Sequence, residues 1–479
     1  MTNRAAAAPR SGQPDLTETE VSYPERVDVL GPDGTPLDCT ADPGRLMEYI
    51  EEFAQLTSTA GGITRLAYTQ MERAAHEIYG KRMRELGLTV WTDAAGNTIA
   101  ERPGRTAGIG AIGTGSHLDS VPGAGRFDGI AGVAAALEAA RLAVEHDLPH
   151  RRPMRFVAFA AEEGARFGQA CLGSRFAAGL IDEHHLTSVR DYDGVTLAEA
   201  MRSVGLDPTR AARTPWPAAE WSAFVELHVE QGGVLEEAGL RVGVVDLVSG
   251  STRLQLRIVG QASHTGATPM HLRQDALTAA AEIVLIAETL ATDAQHRGTR
   301  ATVGRLDVSP GSITTIAGGV TFSLEVRDVD SDRQRSTATE IVRRARAVCD
   351  RRRVGLEVSL LGDTSPVVLP MWLRLITAQA CRSSGVSYRV MTSGASHDAQ
   401  IIGRLTPASI LFVPSRGGLS HVPEEWTSSS DLARGTSVLL TTLLRTDAEL
   451  DRINALDSQN ARGPAADDLS ASDDGKGQS

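Results

Sequence analysis

The sequence predicts an α/β protein with a mainly parallel sheet, interrupted by an inserted α+β domain of ferredoxin-like order. Three observations carry that expectation. Apolar, β-rich runs alternate with helical patterns through the first half of the 479 residues, as they do where helices cover a parallel sheet. From about Gly250 the strands become alternately polar and apolar, the mark of a sheet with one wet face. The elements that follow read β-α-β-β-α-β, a split βαβ unit. Length agrees, because so long a chain exceeds one ordinary core.

Taken in order, residues 1–20 are polar, small and poor in aliphatics, and are expected to be a disordered tail, as are 455–479. A first domain is expected over 21–249 and 365–454, with the insertion at 250–364. Within the first part, Ile109-Gly-Ala-Ile-Gly-Thr-Gly and Met154-Arg-Phe-Val-Ala-Phe-Ala read as buried strands, and 129–144 as a long helix. Thr252-Arg-Leu-Gln-Leu-Arg-Ile-Val opens the insertion as a half-exposed strand. A helix over about 273–290, strands at 301–308 and 319–326, a helix over 333–349 and a strand at 354–361 complete it. No internal repeat is present.

Composition narrows the function. Hydrophobic content of 41% with 23% charged residues is that of a soluble globular protein, and 4% aromatics imply an aliphatic, alanine-rich core. A formal charge of −12 argues against a nucleic-acid partner, since phosphate binding needs a basic face. Cys39, Cys171, Cys349 and Cys381 are scattered without Cys-x-x-Cys spacing, so neither a disulfide framework nor a thiolate zinc site is expected. Residues 1–16 lack the apolar stretch of a secretory signal. No apolar run nears the roughly 20 residues of a membrane helix. A cytoplasmic protein without a membrane partner is the expectation.

The chemistry concentrates in a few segments. Gly115-Ser-His117-Leu-Asp119-Ser, Gly125-Arg-Phe-Asp128-Gly, Glu162-Glu163, Glu226-Leu-His228-Val-Glu230-Gln231-Gly and Leu419-Ser-His421-Val-Pro-Glu combine imidazoles with carboxylates. Neutral imidazole and carboxylate are what zinc or manganese bind, and several in one cavity hold two ions. A metal-dependent hydrolase is therefore the first expectation. Asp119, two residues from His117, suits the task of accepting the other imidazole N–H. Asp128 precedes the long helix, so it is either an N-cap or a carboxylate bridging two metals. Glu162 and Glu163 lie past the carboxyl end of a strand, where one can bind metal while the other acts as general base. His264, in Gly260-Gln-Ala-Ser-His-Thr-Gly, falls inside the insertion and suits polarising a substrate carbonyl better than binding metal. Gly108-Ile-Gly110-Ala-Ile-Gly113 fits a dinucleotide fingerprint, but no helix opens after it.

Together these motifs resemble the hydantoinase/carbamoylase-type amidases of the M20 metallopeptidase superfamily, a group that includes N-carbamoyl-L-amino-acid hydrolases, β-ureidopropionases and allantoate amidohydrolases. The likeness runs from about Gly61-Gly-Ile-Thr-Arg-Leu-Ala-Tyr to about Leu432. Gly115-Ser-His-Leu-Asp-Ser-Val-Pro and Glu162-Glu-Gly-Ala-Arg-Phe-Gly are more similar to the carbamoylases than to the allantoate enzymes. The resemblance implies a zinc-peptidase-like catalytic domain and a lid domain that also forms a homodimer. It implies His117, Asp128, Glu163, His228 and His421 as ligands of two divalent ions, zinc first, with manganese, cobalt or nickel suiting the same donors. Glu162 matches the general base and His264 a lid histidine that reaches a partner's active site. Gln231, Arg327, Ser393 and Gly394 match substrate contacts, with Arg327 gripping a carboxylate. Thr314, in Pro310-Gly-Ser-Ile-Thr314-Thr-Ile-Ala317-Gly, stands where an asparagine is usual, and Ser396 where glycine is usual. The implied reaction is hydrolysis of an N-carbamoyl-L-amino acid to the amino acid, ammonia and carbon dioxide. The alternative is the same amidase or deacylase chemistry on an allantoate-like or specialised ureido substrate. A catalytically silent scaffold fits poorly, because every ligand-type position and Glu162 are filled.

Overall fold

Caps and hydrophobic runs lay out the elements in a simple order. The computed structural model describes residues 26–59 and 61–461, with side chains to 453. Helices α1 (Pro43–Gln55) and α2 (Gln70–Glu85) are each started by a side-chain cap, Asp42 and Thr69 respectively. Then come β1 (Thr89–Thr92), β2 (Thr98–Arg102), β3 (Ala111–His117), α3 (Ile130–Glu145), β4 (Met154–Phe159), β5 (Trp221–Val229) and β6 (Val242–Val248). Next follow β7 (Gly250–Val259), β8 (Ser263–His264), α4 (Ala276–Thr292), β9 (Arg300–Thr302), β10 (Leu306–Ser309), β11 (Thr315–Ile316), β12 (Gly319–Asp328), α5 (Ser331–Arg352) and β13 (Gly355–Thr364). The chain finishes with β14 (Val367–Val368), α6 (Met371–Ser383), β15 (Tyr388–Ser393), α7 (Asp398–Ile402), β16 (Ala408–Val413) and α8 (Ser429–Ala461).

A nine-stranded sheet runs in the order β14-β6-β16-β5-β3-β4-β2-β1, with β15 also paired to β6. Its centre, β16-β5-β3-β4, is parallel, and antiparallel pairs close the flanks. The sheet is thus mainly parallel at its core, as the sequence predicts. Helix α3 supplies the crossover that a parallel pair requires. Its residues from Ile130 to Ala143 are all buried, between the sheet and the helices α1 and α8. Gly132 permits this close packing: a methyl there would overlap the Leu227 carbonyl oxygen and the Ser116 side chain.

The second sheet, β9-β12-β7-β13 with β10 also on β12, is antiparallel throughout. Helices α4 and α5 cover one face and share a core of their own with it. The order β-α-β-β-α-β is present, with one correction. The strand expected at 301–308 is split, because the three residues between Thr302 and Leu306 face only two between Glu325 and Phe322 on β12. The extra residue in 303–305 breaks the ladder as a bulge does.

Two boundaries also differ from expectation. His117 closes β3 rather than following it. Helix α8 continues to Ala461, into the segment expected to be a tail. Asp447 and Asp451 anchor it to Arg152, and no breaker intervenes before Gly463-Pro464 in the sequence. The tail expected at 1–20 lies outside the described residues, as does 462–479. Among the described residues no helix is long and apolar enough to cross a membrane.

Gly132→Val should overpack the contact between α3 and the sheet. A loss of roughly 1–3 kcal/mol is expected, read as a lowered Tm in a thermal melt; an unchanged Tm would show that α3 can shift freely.

Candidate active site

Parallel strands deliver their carboxyl ends to one edge of a sheet, and the loops leaving that edge carry its polar groups. His117 is the last residue of β3, His228 lies one residue from the end of β5, and Glu162 and Glu163 follow β4. His421 sits in the loop after β16, with a backbone φ of 61°. Asp128 stands between β3 and α3 but does not cap the helix. The cap position is Gly129, at φ 68°, with no side-chain hydrogen bond. The Asp128 side chain turns into the imidazoles instead. Its backbone is fixed by Glu425, whose Oε2 accepts the N–H groups of Phe127 and Asp128, each at 3.0 Å.

The two oxygens of Asp128 face different partners. Oδ1 lies 3.5 Å from His117 Nε2 and 3.2 Å from His228 Nε2. Oδ2 lies 3.0 Å from His421 Nε2, which is itself 3.4 Å from Glu163 Oε1. Tautomers follow from the acceptors on the far side of each ring. His117 Nδ1 is 3.1 Å from the Asp119 carbonyl and His228 Nδ1 is 2.9 Å from the Val229 carbonyl. A carbonyl only accepts, so both Nδ1 atoms carry hydrogen and both Nε2 lone pairs are directed at the cleft. Glu163 Oε1 is buried without a hydrogen-bond partner. The donors therefore form two triads, His117/Asp128/His228 and Asp128/Glu163/His421, that share one carboxylate. Such a set fits a pair of divalent ions.

Without cations, the charges crowd one another. Burial would raise the Asp128 carboxyl, but hydrogen bonds from His117, His228 and His421 hold it well below its usual range. Burial would lower His421, yet Asp128 and Glu163 push it up to about 11. Metal binding at neutral pH must therefore displace protons from this cluster.

Asp119 stands in the expected place, with Oδ1 3.5 Å from His117 Nδ1, and takes a second part as well. It is fully buried, and its two carboxylate oxygens accept the backbone N–H groups of Glu162 and Glu163 at 2.8 and 2.9 Å. One carboxylate thus orients two consecutive acids, while its main-chain carbonyl orients His117. Glu162 is buried beside them, with Oε1 accepting from the Cys171 thiol at 3.0 Å. Burial pushes its carboxyl up to about 7, against a downward pull from His117.

Opposite the metal-type donors stands the polar face of the second sheet. Arg327 donates to the Gly394 carbonyl at 2.7 Å and pairs with Glu325 at 2.9 Å. Gln231 Nε2 donates to Asp128 Oδ2 at 2.9 Å. The cleft is lined here by Ala395 and Ser396. Of the residues expected to touch substrate, Ser393 is turned away, its hydroxyl 2.8 Å from His397 Nε2, and Gly394 is engaged through its carbonyl. His264 and Thr314 lie on the exposed β8–β11 ribbon and do not line the cleft. There, His264 Nδ1 accepts the N–H groups of Gly266 and Ala267 at 3.0 and 3.1 Å, which leaves the hydrogen on Nε2 in the neutral ring.

Sequence reasoning passed over Glu425, Cys171 and Arg253, all of which reach this site. Glu425 meets Asp128 across 297 residues of chain, a pairing with no local signal. Arg253 occupies a polar position of an alternating strand and reads as a solvent-facing residue.

Comparison with known proteins agrees with this geometry. Residues 113–445 match the Peptidase family M20/M25/M40. The N-carbamoyl-L-amino-acid amidohydrolase of Paenarthrobacter aurescens is 39% identical over 400 residues, 84% of this chain and 97% of that protein. The allantoate amidohydrolase of Escherichia coli strain K12 is 33% identical over 383 residues, 79% of this chain and 92% of the relative. The crystal structure of a hydantoinase/carbamoylase-family amidase from Burkholderia vietnamiensis superposes with a TM-score of 0.80 at 31% identity, covering 85% and 98% of the two chains.

Asp119→Ala should leave the amides of Glu162 and Glu163 without acceptors. A fall of about 10–100-fold in kcat/KM is expected, measured beside elemental analysis of the protein; an unchanged kcat/KM would deny Asp119 its orienting role.

Proposed function

This chain belongs to peptidase family M20/M25/M40, and on that premise we propose that it is an N-carbamoyl-L-amino-acid amidohydrolase. It hydrolyses the carbamoyl C–N amide to release the amino acid, ammonia and carbon dioxide. The observation that carries this reading is the double use of Asp128, one oxygen toward each set of donors. The likeness to the Paenarthrobacter carbamoylase over most of both chains supports the substrate class.

In this reading His117, Asp128 and His228 hold one divalent ion, and Asp128, Glu163 and His421 a second. Zinc is the first choice, with manganese, cobalt and nickel suited to the same donors. When bound, such ions supply Lewis acidity to a carbonyl and to water. Glu162 takes the proton of the attacking water and returns it to the leaving nitrogen. Arg327 grips the substrate carboxylate as a bidentate donor, with Gln231 as a further contact in the cleft. Ser393 and Gly394 position that wall through His397 and Arg327 rather than touching substrate, and Thr314 comes into reach only with the ribbon that carries His264. His264 offers its Nε2–H to the developing oxyanion. Because its ribbon stands off the cleft, His264 acts after the 250–364 unit closes, or in the site of a partner subunit. We accordingly assign 21–249 and 365–454 to catalysis, and 250–364 to a lid through which a homodimer forms. A cytoplasmic location is supported by four buried, unpaired cysteines.

Thr314 and Ser396 favour one second reading, the same chemistry on a different ureido or acyl amide. Ammonia release excludes the acyl-amide case, because a simple N-acyl substrate yields none, and comparing N-carbamoyl-L-amino acids with other ureido compounds decides the rest.

Metal-loaded enzyme should release ammonia from N-carbamoyl-L-amino acids, and Glu162→Gln should retain metal while losing nearly all turnover. Substantial activity in that variant would remove Glu162 as the base. The pH profile has a defined sign. Glu162 accepts a proton only when ionised, and cations beside it lower its pKa from about 7. The wild-type kcat/KM should therefore hold near neutrality and fall only as the pH drops through the lowered pKa, below 7; a rise on acidification would contradict the assignment.

A further inference from the structure

The strand register places a second arginine in the cleft. On the paired strands β7 and β12, Arg253 stands directly opposite Glu325, and Arg327 follows two residues along the same face. Glu325 Oε1 accepts from Arg253 Nε at 2.6 Å and pairs with Arg327 Nη2 at 2.9 Å. Two guanidinium groups thus share one carboxylate, which leaves this wall cationic. A further Arg253 nitrogen, Nη1, lies 3.4 Å from the Gly168 carbonyl, and among the described residues Nη2 makes no hydrogen bond. Gly164 gives the guanidinium its room, since a methyl on that residue would overlap Nη1.

The rest of the lining points the same way. Arg253 and Arg327 line the same cleft as His117, Glu162 and His228, and its apolar lining groups are no larger than Ala170 and Ala395. Among the described residues no Val, Leu, Ile, Met, Phe, Tyr or Trp side chain lines it. A large apolar substituent would find no apolar surface to cover and would strip water from a guanidinium. A short side chain ending in a carboxylate would meet free, charged donors.

We propose that Arg253 is a second anion-binding point, through which the enzyme selects ureido acids bearing a second carboxylate on a short side chain, of the aspartate type. This rests on the carbamoyl-hydrolase reading for the reaction, but not for the binding. Arg327 holds the α-carboxylate and Arg253 the side-chain carboxylate, with Glu325 keeping both guanidinium planes in place from behind.

The test has two parts, both on metal-loaded enzyme. In turnover, kcat/KM for N-carbamoyl-L-aspartate should exceed that for N-carbamoyl-L-methionine by at least about tenfold, the ordinary weight of one charge-assisted contact. Arg253→Leu should collapse that ratio by about the same factor, and Arg253→Lys should restore part of it. The ratio cancels any difference in the folded fraction. In binding, calorimetry should show L-aspartate held more tightly than L-methionine, with the preference lost in Arg253→Leu. Equal binding of the two amino acids, or a preference that survives in Arg253→Leu, overturns the proposal. If binding behaves as expected while neither carbamoyl compound releases ammonia, the subsite stands and the carbamoyl-hydrolase reading fails.

Discussion

The site depends on one buried carboxylate with imidazoles on three sides. Asp128 is only tolerable at 5% exposure because each oxygen is met by nitrogen. Everything around it serves that arrangement. Glu425 holds its backbone from a distant loop, Gln231 donates to it, and α3 begins on Gly129, where a methyl would overlap the His117 ring. The parallel centre of the large sheet supplies the other requirement, since only strands running the same way end together and bring His117, Glu162, Glu163 and His228 to one edge.

The carboxylates divide their work by geometry. Asp119 takes both amides of the Glu162-Glu163 pair, so the two side chains project differently although they are neighbours. Glu163 lies beside His421, while Glu162 sits against Cys171 and His117 in a drier place that raises its proton affinity. In the proposed reading, proton transfer and cation binding thus fall to adjacent residues without competing for the same space.

Much of this was legible in the sequence, for a physical reason. Strand-end histidines and acids announce themselves because each lies beside an apolar run of fixed length, as His117 and Glu162 do. Asp128 was ambiguous, since a helix cap and a cleft carboxylate occupy the same sequence position, and only its rotamer separates them. Glu425, Cys171 and Arg253 were illegible, because each acts through a partner far away in the chain or across a sheet. The split of the 301–308 strand was hidden too, since a single extra residue leaves the polar–apolar alternation readable on both sides. The run to Ala461 is hidden because its polar composition resembles a tail, although no helix breaker stands in it before Gly463.

The second sheet contributes residues from alternate positions of its wet face, and none of the histidines belongs to it. Neither Arg253 nor Glu325 hydrogen-bonds any of the donors around Asp128. Such a separation makes selectivity and reactivity independently evolvable. With the selectivity proposed for Arg253, drift along one face of β7 and β12 retargets the protein to a new ureido compound while the donors around Asp128 are inherited.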